Sequence, residues 1–450
     1  MTTEPEPGSG ILIVEDGLNL VPETHQAYAG FLLDALRELH AAYQIQRHVL
    51  GIPAGVTEKA FANAVRKSPL VASPYHFLTR DSRGLVPHEY YAIPEIRVRF
   101  TGIADCLEGA LECAQDNNLQ DKTLIEQSLR SQIRGFRRGD FRGMREQRLN
   151  LSNYPLVDGE YGFLDRYGGL STQLALHGWV TVERRGESRR LNRLMMEALM
   201  SEDRPVNYSI RSVDVVGFGG LAVDMGGWTA QTLPSEKDLR RDRAGVEFFM
   251  NCMESRRGNY VKNLDLVPQV KDIPNWEELV LQVRVERTAA HEAGHVGILT
   301  SEETVQALGR NYQGFEEAFC EAWGVKNRLR VLTPRDLDRA MLTVANSLAD
   351  GAVMRGSVLQ DSSSAKEYGL ASAIILNGLV SNGGITLNTD NGSIIINDLN
   401  DVEEGYRRVT GELGIVLENE SPISARVNGR NFIRRHAGPI NLSPFLYRAA

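Results

Sequence analysis

His291-Glu292-Ala293-Gly294-His295 opens a stretch that runs on to Phe315-Glu316-Glu317-Ala318-Phe319-Cys320-Glu321-Ala322-Trp323-Gly324, and these two pieces decide the fold. In the first, one helical turn separates the two imidazoles and sets both on one face, the spacing with which two histidines grip a zinc ion. Glu292 stands a step round the same helix, where its carboxylate can take a proton from an attacking water. The pentad therefore predicts a zinc hydrolase, most often a peptidase, with His291 and His295 as ligands and Glu292 as general base. A catalytic zinc needs a third protein ligand and an open position. The second piece offers candidates. Glu317 and Glu321 lie a turn apart, and Phe315, Phe319 and Trp323 interleave with the acids, which marks a buried helix rather than a solvated face. Buried carboxylates require cations or donors. Glu317 is the expected third ligand, and one Zn2+ per chain the expected content.

The connection between the two pieces is also legible. Gly294 costs helix stability but admits a neighbouring backbone, and Ala318 and Ala322 are small enough for close approach. The first helix is expected to stop early, with Thr300-Ser301-Glu302-Glu303 as a capping box opening the next, and Asn311 and Gly314 as a break before the glutamate helix. Cys320, three residues after Glu317, suits packing better than ligation.

A pair of glutamates followed four residues later by an acid, as in Glu316, Glu317 and Glu321, resembles the second motif of the dipeptidyl peptidase III family of zinc exopeptidases. The resemblance implies that Glu317 binds zinc while Glu316 and Glu321 orient the histidines. It extends without a gap over Pro155-Leu156-Val157-Asp158-Gly159-Glu160-Tyr161-Gly162-Phe163-Leu164-Asp165-Arg166-Tyr167. Further collinear matches are Ser212–Val216, Thr232-Leu233-Pro234-Ser235 with Asp238-Leu239-Arg240, and Ala373–Val380. It implies an α+β, two-lobed fold in which a mainly helical zinc-binding lobe faces a β-rich mixed lobe across a cleft. Asp158 matches an acid that binds the substrate amine.

The departures concern substrate. The family's first motif normally carries one more residue before its second histidine, whereas this chain has the ordinary pentad. Glu160 stands where the family has its transition-state tyrosine, Tyr368 where it has a histidine, and Ser372 where it has an arginine. Thr232 and Ser235 replace the two asparagines that hold the substrate's amino terminus. The metal apparatus is kept and the substrate apparatus rebuilt. Tyr161 and Tyr368 are the phenols that could serve a developing oxyanion, and Asp158, Glu160, Thr232 and Ser235 are the candidate substrate contacts.

The whole chain suits an enzyme. Its 450 residues are enough for two or three structural units, and a formal charge of -8 opposes nucleic acid or an anionic membrane as the main partner. No apolar run reaches a membrane span; the longest, Leu370 to Val380, is broken by Asn377 and Gly378. Cys106, Cys113, Cys252 and Cys320 show neither metal spacing nor disulfide density and suit a reducing cytoplasm.

Residues 1–10 read as a disordered tail, 11–250 as a mixed α/β lobe with a β-rich core, 251–384 as the helical zinc-binding lobe, and 385–450 as a hairpin with a returning segment. Within these, 25–48 and 105–134 carry helical spacing, 95–100 read as a short strand, and Gly217-Phe218-Gly219-Gly220 and Gly226-Gly227 as turns. Asp390-Asn391-Gly392 between two alternating runs predicts a hairpin.

Arg130, Arg134, Arg137, Arg138, Arg142, Arg145 and Arg148 cluster around Phe136 and Phe141. In an acidic chain this is expected to be a surface paired with acids. The expected function is a zinc-dependent hydrolase cleaving a peptide or small amide. The alternatives are a non-peptidase zinc amide hydrolase acting on a small biosynthetic intermediate, and a non-catalytic binding protein that keeps the fold. Glu292 argues against the last.

Overall fold

The helical spacing of residues 25–48 becomes helix α1 (Gln26–Val49), which buries Ala29, Leu32, Leu33, Leu36, Leu39 and Ala42. The structure, a computed structural model, describes residues 12–13, 17–49, 93–139, 144, 147, 153–164, 175–199, 208–224, 230–233, 244–298, 300–357, 363–388, 390–419 and 421–436. The proposed tail at 1–10 and the pair Gly226-Gly227 lie outside the described residues. By its internal contacts the chain divides into two units, Met1–Arg189 with Ser209–Met253, and Arg190–Tyr208 with Glu254–Ala450.

In the first unit, α1 packs against α2 (Pro94–Asp116), and α2 against α3 (Lys122–Arg138). The strand expected at 95–100 is instead the first turns of α2. Pro94 takes the first helical position, where its missing N–H costs nothing. The local alternation of Ile96, Val98 and Phe100 is overruled by the longer pattern Ile96, Phe100, Ile103, Leu107, which is buried while Val98 is 68% exposed. Gly139, at φ 73°, ends α3 in the left-handed conformation. Of the arginine cluster, Arg130 pairs with Glu126, and Arg137 with Asp105 and Glu108. Arg142, Arg145 and Arg148 lie outside the described residues.

These helices cover a sheet of β1 (Leu12–Ile13), β2 (Val157–Leu164), β3 (Ala175–Glu183), β4 (Tyr208–Gly220), β5 (Ala230–Leu233) and β6 (Ala244–Phe249). Its order is β2-β3-β4-β6-β5, with β1 antiparallel to β4. The glycines at 217–220 are not a separate turn but the last residues of β4. A Cβ at Gly219 would stand 2.7 Å from Leu36 of α1, so glycine there lets the helix lie directly on the sheet. The unit boundary falls within helix α4 (Arg185–Leu199).

The second unit is a helical assembly of α5 (Trp276–Gly297), α6 (Glu302–Leu308), α7 (Tyr312–Leu332), α8 (Leu337–Ser357) and α9 (Ser363–Ser381). A hairpin of β7 (Ile385–Asn388) and β8 (Ser393–Ile396) follows, then α10 (Leu399–Leu417) and α11 (Pro422–His436). A helix does open here, but its cap is Ser301, which accepts from the Thr304 amide at 3.1 Å, one residue on from the Thr300-to-Glu303 spacing of a capping box. The break before α7 falls at Gly309, φ 56°, rather than at Gly314, which is inside the helix. The hairpin turns through Gly392 at φ 64°, and the Asn391 side chain accepts from the Ser393 amide. Helix α7 packs against α5, α8, α9 and α10 at once. That explains its sequence: most of its length is buried, from Phe315 to Leu329, and the acids it carries there must be answered from a neighbour. No described helix is long and apolar enough to cross a membrane.

Candidate metal centre

The centre lies where α5 crosses α7, and glycine sets the distance on both sides. A Cβ on Gly294 would fall 2.8 Å from the Cys320 Cα, and one on Gly324 2.8 Å from the His291 amide nitrogen. Neither neighbour can turn aside, because both are backbone. The crossing brings side chains of α5 and α7 within bonding range. His291 Nε2 is 3.3 Å from His295 Nε2, and Glu317 Oε2 is 3.2 Å from the first and 3.7 Å from the second.

Three ligand atoms on a tetrahedral ion with bonds of about 2.0–2.1 Å sit about 3.3 Å apart. The triangle therefore fits zinc, and two nitrogens with one carboxylate oxygen are the donor set of a catalytic site. His291, His295 and Glu317 are the residues that could hold the metal.

The outward nitrogens of the two histidines are treated differently. His291 Nδ1 donates to Glu321 Oε2 at 3.0 Å. His295 Nδ1 is buried with no hydrogen bond, 3.7 Å from Glu316 Oε1. Glu321 is answered on its other oxygen by Arg287 and by the Ser347 hydroxyl at 2.5 Å, and Tyr406 donates to Ser347 at 2.9 Å. Arg287 also binds Asp350, whose second oxygen accepts from Arg284 at 2.8 Å.

These contacts set the protonation of the site. Burial opposes a charged His291, but its bonds to Glu317 and Glu321 outweigh that and raise it to about 9. Burial likewise opposes ionised Glu317 and Glu321. The histidines beside Glu317, and Arg287 with His291 beside Glu321, hold both well below the usual carboxylate range. Burial pushes the Cys320 thiol up to about 12. Glu292 follows His291 on α5 and is half-buried.

Arg287, Ser347, Asp350 and Tyr406 were not read from the sequence. Arg287 could have been, because it stands one turn before His291 on the ligand helix, where a buried charge needs a reason. The others come from α8 and α10 and carry no local signal.

The remaining candidates, Tyr368 apart, belong to the first unit. Asp158, expected to bind a substrate amine, is 2% exposed; it accepts from Ser128 Oγ at 3.1 Å and lies 3.7 Å from Arg211. Arg211 also pairs with Glu247, which accepts from Trp179 Nε1 at 3.0 Å, and its guanidinium carbon is 4.3 Å from the Tyr154 ring centroid. Tyr161 is one of the two phenols expected as candidate oxyanion donors. Its ring is fully buried and its hydroxyl donates to the Leu32 carbonyl at 2.7 Å, so the phenol serves the core beneath α1. Glu160 is half-buried on β2, opposite Trp179 in register. Thr232 lies on β5 opposite Val246, and Tyr368 on α9, but their side chains lie outside the described residues, as does all of Ser235.

No protein-family profile matches the chain, and no curated protein matches it by sequence. Solved structures do. The dipeptidyl peptidase III of Caldithrix abyssi superposes with a TM-score of 0.68 at 15% identity, covering 96% of this chain and 93% of that one. The dipeptidyl peptidase III of Corallococcus sp. strain EGB gives a TM-score of 0.61 at 13% identity, over 79% of this chain and 66% of that one. At such identities the likeness carries the fold alone: this chain has the α+β fold of dipeptidyl peptidase III structures.

Proposed function

We propose that the protein is a zinc-dependent hydrolase that cleaves a peptide or amide bond. His291, His295 and Glu317 hold the metal, Glu292 is the general base, and Glu316 and Glu321 orient the histidines. The observation that carries this reading is the buried triangle of two imidazole nitrogens and one carboxylate oxygen, with edges of 3.2 to 3.7 Å. When bound, zinc polarises the scissile carbonyl and brings the pKa of a water near neutrality. The chain's own residues do the rest. Glu292, beside the ligands on the same helix, takes the proton of the attacking water and returns it to the leaving amine. Glu321 keeps the proton of His291 on Nδ1, leaving the Nε2 lone pair for the ion. The likeness in fold to zinc exopeptidases supports the reading, as does the residue-by-residue match of the glutamate motif. The four cysteines, none of them in a disulfide, support a reducing cytoplasm as its compartment.

A second reading, a hydrolase of a small non-peptide amide, is favoured by Asp158, whose charge is already answered by Ser128 and Arg211. Metal analysis tests the common core of both. Purified wild-type protein should carry one zinc per chain, and Glu317→Ala should lose it. Full zinc in that variant, with loss in Glu316→Ala or Glu321→Ala instead, would overturn the ligand assignment.

A further inference from the structure

Glu321 takes three hydrogen bonds on two oxygens: Arg287 and Ser347 share Oε1, and His291 Nδ1 has Oε2. An ionised carboxylate only accepts, so the direction of every bond leading to it is fixed. Ser347 must give its proton to Glu321, which leaves the serine oxygen as an acceptor, and the fully buried Tyr406 must then donate to Ser347. At the other end His291 must carry its proton on Nδ1.

We propose that Tyr406, acting through Ser347 and Glu321, is a positioning residue for the metal ligand His291, so that helix α10 sets how tightly α5 holds its metal. The inference rests on the zinc reading above and goes beyond it, since that reading gives Tyr406 and Ser347 no part. Three observations favour a positioning role over simple packing. Every donated proton points toward Glu321, from Tyr406 through Ser347 on one side and from His291 Nδ1 on the other. Arg287 of α5 and Ser347 of α8 hold the same Glu321 oxygen from different helices, so the angle the carboxylate presents to His291 is set by the two together. His295 is held less closely, its Nδ1 standing 3.7 Å from Glu316 Oε1 against 3.0 Å between His291 Nδ1 and Glu321 Oε2, so the tighter support is on the His291 side.

The test is the zinc dissociation constant by competition with a fluorescent chelator, together with the zinc-release half-life. Loss of a group that orients a ligand typically costs about 10–100-fold in metal affinity. Ser347→Ala should fall in that range, Tyr406→Phe should lose up to about tenfold, and Ser347→Thr, which keeps the hydroxyl, should stay close to wild type. The decisive comparison is the double variant Tyr406→Phe/Ser347→Ala. If Tyr406 acts through Ser347, its removal costs nothing more once the serine is gone. Wild-type affinity in Tyr406→Phe or Ser347→Ala, or an equal cost of Tyr406→Phe with and without Ser347, overturns the inference while leaving the zinc reading intact. A wild-type chain that binds no zinc overturns both.

Discussion

Gly324 lies against the backbone of His291: a Cβ on the glycine would meet the histidine's amide nitrogen at 2.8 Å and the carbonyl carbon of Ala290 at 2.9 Å. The two helices of the candidate metal centre therefore lie as close together as bare backbone allows. In an ordinary helix, Gly→Ala gains about 1 kcal/mol of propensity. Here the methyl strikes main chain that cannot rotate away, and overpacking of that kind costs about 1–3 kcal/mol. Gly324→Ala is expected to lower both the urea midpoint and zinc affinity. Gly411→Ala, in α10 with nothing within 4 Å of its Cβ position, should raise the midpoint. A Gly324→Ala protein as stable as wild type would mean that the crossing has slack.

Glu292→Gln keeps the size of the side chain and removes the base. Zinc content and thermal stability should match wild type, while hydrolysis should fall by about 10²–10⁴-fold. Near-wild-type turnover in the zinc-loaded variant would show that Glu292 is not the general base, and no turnover in the zinc-loaded wild type would revive the binding-protein alternative.

The acid branch of stability has an identifiable contributor. Burial opposes an ionised Glu412, but hydrogen bonds from His436 Nε2 at 2.9 Å and Arg408 at 3.2 Å outweigh it, so its pKa is lowered from the usual 4.5. A lowered carboxylate stabilises the fold above its unfolded pKa, and that contribution fades as pH falls through the folded value. Glu412→Gln should therefore be less stable than wild type at pH 7. The gap should close below about pH 4, as read by urea midpoints on metal-free protein. A gap that persists unchanged at pH 3 would assign the loss to packing instead of charge.

What the sequence disclosed follows from range. The helix that carries His291 and His295 one turn apart, the Ser301 cap, the hairpin around Gly392 and the periodicity of α1 are each written within a short stretch of sequence, and each is present. Residues 95–100 misled because six residues can satisfy a strand period by chance, and only the continuation to Leu107 reveals the helix. Gly219 looked like a turn because its reason for being glycine is Leu36, which is remote in sequence. Tyr406 and Ser347 escaped notice for the same cause: a hydroxyl on an apolar helix face announces neither a donor nor a target until the helices are packed.

Substrate choice is where the sequence departures and the structure converge. A free peptide amino terminus would need an unanswered acid, yet Asp158 already accepts from Ser128 and stands 3.7 Å from Arg211. Thr232 and Ser235 replace the asparagines that the resemblance would place around that amine. A lost hydrogen bond to a charged group costs about 1.5–3 kcal/mol, so even one such loss lowers the specificity constant by about tenfold or more. Dipeptidyl-naphthylamides should therefore be poor substrates. Peptides with blocked amino termini, or small amides, should be cleaved at least as well, because they do not ask Asp158 to exchange its partners for an ammonium. The measurement is kcat/KM across such a panel with zinc-loaded enzyme. Efficient cleavage of the dipeptidyl set, lost when the amine is acetylated, would show that Arg211 yields Asp158 to the substrate and that the amino terminus is read after all.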